Sequence, residues 1–107
     1  MNSDRIKLLE KFIEEEPENT FNKYALAMEY FDYDQEKAIA ILEKVIADHP
    51  DYLPSYFKAA QLLWELEEMK KAEKIFKEGI SLAQRQEDQK ALSELKSAYQ
   101  NFLFELD

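Results

Sequence analysis

One short pattern occurs twice in this chain. Lys37–Leu42 and Lys71–Phe76 lie 34 residues apart, and each places alanine, isoleucine and a large apolar residue in the same order. A fixed period of this length is typical of folds that use one supersecondary unit repeatedly, each copy burying its apolar face against the next. The spacing therefore predicts an architecture of repeated units before any chemistry is considered.

The scarcity of turn-forming residues indicates that these units are helical. The 107 residues contain one glycine and three prolines. A β-hairpin depends heavily on glycine, because its tight turns need positive φ angles. A chain of this length can also bury a core without help from a metal or a disulfide. We therefore predict a single, nearly all-helical domain.

The charge balance narrows the choice of partner. Acidic residues number 23 and basic residues 14, which gives a net charge of −9. Nucleic acids and anionic membranes bind surfaces with a positive field, so neither is expected as a partner. An apolar or basic protein or peptide is favoured over an acidic one.

The expected location is the cytoplasm. No run of the sequence approaches the roughly 18 apolar residues that a membrane span needs. The first residues, Met1–Arg5, do not lead into the apolar segment of a secretory signal. The chain has no cysteine, which fits a reducing compartment without proving it.

Apolar stripes at spacings of three and four residues predict six helices. The first three helices are predicted over 3–16, 20–32 and 35–48, with Asp34 as the cap of the third. The fourth is predicted from Pro54 through Trp64, the fifth over 69–84, and the sixth from about 88. Ser3 is the expected N-cap of the first helix, and Pro54 suits the first turn of the fourth. The short connections predict that neighbouring helices are antiparallel.

Two segments share a longer pattern of small and large residues. The first, 20–52, reads Leu26-Ala27-x2-Tyr30, then Ala38-x3-Leu42, then Pro50. The second, 53–86, reads Tyr56-x2-Ala59-Ala60-x2-Leu63, then Ala72-x3-Phe76, with Gln84 where the proline would be. Both resemble the tetratricopeptide repeat family, a 34-residue helix-turn-helix with the pattern W-x2-L-G-x2-Y, A-x3-F and P.

The resemblance implies an all-α solenoid forming one domain over 1–107. Repeats 20–52 and 53–86 would be flanked by an N-terminal helix, 3–16, and a C-terminal capping helix, 87–105. Such caps are needed because a terminal repeat otherwise exposes its stacking face. The sequence departs from the family in two places. Lys23 replaces the usual aromatic residue, and the first repeat is one residue short at Phe31–Asp34, where we expect a tighter turn.

In this family the first helix of each pair lines a concave groove that receives peptides or partner helices. The resemblance therefore implies a non-catalytic interaction or scaffold module. The groove-facing residues would be Phe21, Tyr24, Ala25, Met28 and Phe31 in the first repeat and Phe57, Lys58, Gln61, Trp64 and Glu65 in the second. Only Lys58, with Gln61 and Lys23, could hold a C-terminal carboxylate, which needs several convergent donors. An apolar or amphipathic helix suits this aromatic lining better.

Two other interpretations of the aromatic residues stay open. They could be ordinary core covered by the terminal helices, since aromatic stripes at helical spacing are usually packing; Trp64 is then the residue expected to be partly exposed. Alternatively, the protein self-associates as a structural homodimer whose groove is filled by its own helices. That dimer would use the aromatic face or the side of the last helix that carries Tyr99, Phe102 and Phe104.

Residue types suited to catalysis or metal binding are scarce. His49 is the only histidine, and it precedes Pro50 without a second histidine or a cysteine at ligand spacing. A calcium-binding EF-hand loop is excluded because Lys37 stands where its sharp turn needs glycine. No serine has the flanking glycines of a nucleophile elbow. We therefore predict no enzyme activity, no cofactor and no metal, with an unrecognised enzyme as the weak alternative.

Overall fold

The described part of the chain, residues 2–106 of a computed structural model, is all α-helical and contains no strand. The six helices are α1 (Ser3–Glu15), α2 (Thr20–Tyr30), α3 (Gln35–Asp48), α4 (Pro54–Glu65), α5 (Met69–Arg85) and α6 (Gln89–Leu106). The all-α helical repeat predicted from the sequence is confirmed. Met1 and Asp107, which the predicted domain includes, lie outside the described residues.

The helices form two compact units. The first unit ends at Ser55 and the second begins at Tyr56. The first contains α1, α2 and α3, and the second contains most of α4 with α5 and α6. The assignment of 1–107 to a single domain stays a prediction.

Polar side chains fix the starts of several helices. The Asp34 carboxylate accepts a hydrogen bond from the Lys37 backbone N–H at 3.1 Å, which confirms the predicted cap of α3, and α4 begins at Pro54 as predicted. The prediction for α1 was wrong by one residue. Asn2 is the N-cap, accepting from the Arg5 N–H at 3.0 Å, and Ser3 is the first helical residue. Asparagine caps a helix at least as well as serine does.

The end of α2 also differs from the prediction. The helix stops at Tyr30 rather than Asp32, because the chain folds back on the Tyr30 carbonyl. The N–H groups of Tyr33 and Asp34 both donate to that oxygen, at 3.0 and 2.8 Å. Phe31 therefore lies at the helix end, and the apolar stripe continues one residue past the regular helix.

The connections on either side of α5 use a different turn. Glu67 and Glu87 have φ angles of 61° and 56°, in the left-handed region that favours glycine. The N–H of the residue after each donates to a carbonyl five residues back, Glu68 to Leu63 at 2.8 Å and Asp88 to Ala83 at 3.0 Å. In the α2–α3 connection the equivalent bond, from Asp34 to Tyr30, reaches back only four residues. By the helix bounds the α2–α3 connection has four residues, 31–34, and the α4–α5 connection has three, 66–68, so the tighter turn predicted in the first repeat is not confirmed.

Small residues occupy the most crowded positions of each unit. Ala27 and Ala38 are fully buried in the first unit, as are Ala60 and Ala72 in the second. The only glycine, Gly79, faces α4, where an added Cβ would lie 2.9 Å from the Tyr56 Cβ. Real Cβ atoms essentially never come that close to another carbon, so α5 reaches this position only without a side chain.

Candidate functional site

The groove residues predicted in the first repeat lie at different depths in α2. Phe21 is exposed over 60% of its surface, and Ala25 is buried. Tyr24, Met28 and Phe31 are half-buried. The Tyr24 ring lies 5.6 Å from the Tyr52 ring, measured between centroids. Burial, followed by the nearby Tyr52 hydroxyl, raises the pKa of Tyr24 above its ordinary value.

The groove residues predicted in the second repeat are more uniform in their burial. Phe57, Lys58, Gln61 and Trp64 are all half-buried, and Glu65 is exposed. The Trp64 indole stands perpendicular to the Phe102 ring, with centroids 5.4 Å apart, and lies at 72° to the Phe76 ring, with centroids 6.4 Å apart. Part of the indole is thus covered by α6, as the core interpretation requires, and part remains accessible.

Three of these residues line one cavity of about 220 Å³. Phe57, Gln61 and Trp64 contribute from α4, Phe76 from α5, and Ala98 and Asn101 from α6. We call this cavity the α4–α6 pocket. Half of its six lining residues are aromatic and two carry side-chain amides, a composition typical of sites that hold an apolar group in a fixed orientation.

The side-chain oxygen of Gln61 lacks a hydrogen-bond donor among residues 2–106. This atom, Oε1, is buried. A buried acceptor left without a donor costs about 1 to 3 kcal/mol. Ser55 Oγ is buried and unpartnered in the same sense, but it belongs to the first unit and does not line the pocket.

The sequence indicated half of this pocket. Phe57, Gln61 and Trp64 follow from one helical period along α4. Phe76 ends the Ala72-x3-Phe76 pattern of the second repeat, and Ala98 belongs to the apolar stripe of α6, so both residues are typical of helix packing and give no sign of a cavity. Asn101 lies off the apolar stripe of α6 and carried no signal at all.

The α6 residues proposed for a dimer surface lie in different environments. Phe102 is fully buried, and the half-buried Tyr99 donates its hydroxyl to Glu73 Oε2 at 2.9 Å. Burial first, and that hydrogen bond second, raise the pKa of Tyr99. Phe104 is exposed over 79% of its surface. Of the three, Phe104 is the most exposed.

The single histidine has a structural position in the first unit. His49 is the C-cap of α3, with its backbone N–H donating to the Val45 carbonyl at 2.7 Å. Its Nε2 lies 3.2 Å from Lys23 Nζ. Within residues 2–106 no cluster of three or more histidines and carboxylates could hold a metal ion. No helix in the same range is long and apolar enough to cross a bilayer.

Comparison with known proteins places this architecture in a family. The family model described as tetratricopeptide repeat matches residues 32–99, which is more than half of the chain. The chain belongs to the tetratricopeptide repeat family. The match extends from the α2–α3 connection into α6, so the C-terminal helix proposed as a cap lies largely within it. No protein of curated function matches the chain.

Solved structures of other tetratricopeptide repeat proteins resemble the chain over most of its length. A tetratricopeptide repeat domain protein from Salinibacter ruber, determined in solution, is 33% identical, with a TM-score of 0.76 over 81% of this chain and 89% of that one. Its crystal structure gives 30% identity and a TM-score of 0.75, over 78% of this chain and 96% of that one. A protein from Bordetella parapertussis is 19% identical, with a TM-score of 0.81 over 98% of this chain and 91% of that one. The last likeness concerns the fold alone.

Proposed function

We propose that this protein is a non-catalytic binding module that receives a peptide or partner helix on the aromatic faces of α2 and α4. The tetratricopeptide repeat fold generally suggests protein interaction, and the choice of face is our own. The residues proposed to contact the partner are Phe21, Tyr24, Met28 and Phe31 on α2 and Phe57, Lys58, Gln61 and Trp64 on α4.

The observation that carries the proposal is the α4–α6 pocket with its unpartnered Gln61 oxygen. A cavity of about 220 Å³ suits one large apolar side chain of a partner. Aromatic walls favour such an anchor, because anchors that fill desolvated pockets dominate interface energies. Gln61 Oε1 is closed to solvent, so a rotation of its side chain would have to accompany a hydrogen bond from a partner N–H beside the anchor.

The chemistry of the partner follows from the surroundings. A chain with a net charge of −9 attracts a basic partner and repels an acidic one over long range. The partner proposed for α4 is therefore an apolar or basic protein segment rather than a nucleic acid or an anionic membrane. No cofactor or metal takes part, and the proposed location is the cytoplasm.

Peptide selection tests the proposal. Random peptides displayed on phage would be selected against the wild-type protein, and the emission of Trp64, the only tryptophan, would be followed as selected peptides are added. We expect the selected sequences to share one large apolar residue and to perturb the indole. Ala98→Leu fills the pocket and should weaken binding about tenfold or more, whereas Ser97→Leu, at the exposed neighbouring position, serves as the control. Equal binding to both variants would reject the pocket.

Self-association is the second candidate. The exposure of Phe104 over 79% of its surface, together with Leu106 at 48%, favours it, because exposed apolar groups of this size are typical of interfaces. Sedimentation velocity over a range of concentrations separates the two candidates. A dimer that dissociates on Phe104→Ala supports self-association, and a monomer at all concentrations excludes it.

A further inference from the structure

A second apolar surface lies in the first unit. Ile13 of α1, Leu26 of α2, and Ala40 and Ile41 of α3 form the floor of a groove of about 410 Å³. Leu26 lies about 160° around α2 from Tyr24, at 100° per residue, so this groove is on a different side of α2 from the proposed peptide-binding residues. None of the eight residues proposed to contact the partner on α2 and α4 lines it.

Lysine side chains surround this floor. Lys23, Lys37 and Lys44 line the groove, accompanied by one carboxylate, Asp48. We call the whole surface the lysine-rimmed groove. Three ammonium groups against one carboxylate make it locally cationic, although the chain as a whole carries a net charge of −9.

The three ammonium groups differ in how far their charge is compensated. Lys44 Nζ pairs with Asp48 Oδ2 at 2.9 Å. Hydrogen bonding to Lys44 is the main cause that lowers the pKa of Asp48, and Lys23 contributes from a greater distance. Lys23 Nζ contacts the His49 ring nitrogen at 3.2 Å, and Lys37 Nζ lies 4.8 Å above the centre of the Tyr30 ring. Lys44 is the lysine that forms an ion pair with a carboxylate, whereas the contacts of Lys23 and Lys37 are to a histidine ring and a tyrosine ring. Lys23 and Lys37 therefore remain able to pair with an acidic partner.

The shape of the groove favours an elongated occupant. The α3 residues that line it run from Lys37 to Asp48, which is about 16 Å at 1.5 Å per residue, or three helical turns. Its floor is only partly buried, since Ile13, Leu26 and Ile41 are half-buried and Ala40 is exposed. A small acyl chain would stay partly in water there, whereas a helix could lay a continuous apolar face over the floor.

We propose that the lysine-rimmed groove binds an acidic amphipathic helix of a partner protein. Leucine-like side chains of that helix would cover the floor, and glutamates flanking them would meet Lys23, Lys37 and Lys44. Exposed ion pairs contribute little energy individually, so apolar burial provides most of the affinity and the lysines select acidic over basic helices. This partner is opposite in charge to the one proposed for α4, and the two sites do not share a residue.

A charge-swap experiment tests the inference. The probe is a fluorescent peptide of about 15 residues, helical on binding, with leucine every third or fourth residue and glutamates beside the leucines. A second peptide carries lysine in place of each glutamate. Binding of both to the wild type, to Lys37→Glu/Lys44→Glu and to Lys70→Glu/Lys74→Glu is followed by anisotropy. The last variant makes the same change in net charge at exposed positions of α5.

The expected result is a crossed pattern. The wild type binds the glutamate peptide. Lys37→Glu/Lys44→Glu lowers the affinity for that peptide about tenfold or more and raises the affinity for the lysine peptide. The α5 control changes either affinity less than about threefold. Ala40→Glu, which places a carboxylate on the exposed floor, also lowers the affinity for the glutamate peptide. Equal losses in the groove variant and the α5 control would overturn the proposal, because they would indicate a general charge effect. Binding of dodecanoate without the peptide, or displacement of the peptide by a second copy of the chain at high concentration, would overturn it in favour of those occupants.

Discussion

The Trp64 indole stands at 90° to the Phe102 ring, with 5.4 Å between the two centroids. Edge-to-face pairs of this kind contribute about 0.5 to 1.5 kcal/mol beyond the area they bury. Phe102 is fully buried and also packs against Phe76 at 5.3 Å. The contact therefore joins α4 to α6 in the second unit and forms one side of the α4–α6 pocket.

We expect Phe102→Ala to destabilise the protein by about 3 to 5 kcal/mol, because it removes a fully buried ring and leaves a cavity. The indole of Trp64 should become more exposed, so its emission in the folded state should shift to the red. Urea unfolding monitored by circular dichroism measures the first effect, and fluorescence the second. Phe104→Ala, at a position 79% exposed, should change the stability by less than about 0.5 kcal/mol.

The two left-handed glutamates are sites where stability can be gained. Replacing Glu67 or Glu87 by glycine should raise the free energy of unfolding by about 1 kcal/mol each, since a side chain in this conformation costs about that much. The same replacement at Glu78, exposed within α5, should cost about 1 kcal/mol because glycine weakens a helix interior. Urea midpoints of the three variants test this. A loss of stability in Glu67→Gly and Glu87→Gly would contradict the assigned turn.

Gly79 tests the packing of α5 against α4. Alanine normally favours a helix over glycine by about 1 kcal/mol, but here the new Cβ would meet the Tyr56 Cβ at 2.9 Å. We expect Gly79→Ala to destabilise by about 1 to 3 kcal/mol, as other overpacked sites do. Glu78→Ala, one residue away and exposed, is the matched control and should be neutral or slightly stabilising. A gain in stability at position 79 would mean that the two helices are farther apart.

Tyrosine ionisation should make the protein less stable in alkali. Burial, and then Glu73, raise the pKa of Tyr99, and burial also raises the pKa of Tyr24 and Tyr52. The folded state therefore holds these protons more tightly than the unfolded state. Their contribution to stability is complete below pH of about 10, the unfolded value, and is lost as the pH rises through the folded values.

Ultraviolet absorbance titration of the phenols tests this prediction. Glu73→Gln removes the carboxylate but keeps the shape of the side chain, so it should bring the pKa of Tyr99 down towards its ordinary value. Tyr99→Phe removes one titrating group and identifies its part of the curve. If Glu73→Gln leaves the titration unchanged, the hydrogen bond from the Tyr99 hydroxyl to Glu73 does not persist in solution.

Local signals in the sequence were enough to predict most of the helix boundaries. Asp34 and Pro54 act within one turn of their own position, so their effect can be predicted without knowing the fold. Asn2 and Ser3 can both cap, and adjacent candidates of equal quality cannot be separated by residue type. The end of α2 was misjudged because Phe31 continues the apolar stripe, although the backbone has already folded back on Tyr30.

The candidate site could be predicted only along a single helix. One period of α4 brings Phe57, Gln61 and Trp64 to the same face. Ala98 and Asn101 of α6 form the opposite wall, and their position depends on how α6 packs against α4. The apolar period of one helix carries no information about that packing. The left-handed glutamates were missed for another reason: glycine is the usual signal for such a turn, and neither position has one.

The contact between Lys23 and His49 gives the first unit a spectroscopic reporter. An ammonium group can only donate, so a hydrogen bond from Lys23 Nζ to His49 Nε2, 3.2 Å away, requires the ring proton on Nδ1. Because the chain has one histidine and one tryptophan, the imidazole resonances and the indole emission each arise from a single residue. His49 lies beside the lysine-rimmed groove and Trp64 lines the α4–α6 pocket. Occupancy of either surface can therefore be observed without attaching a label.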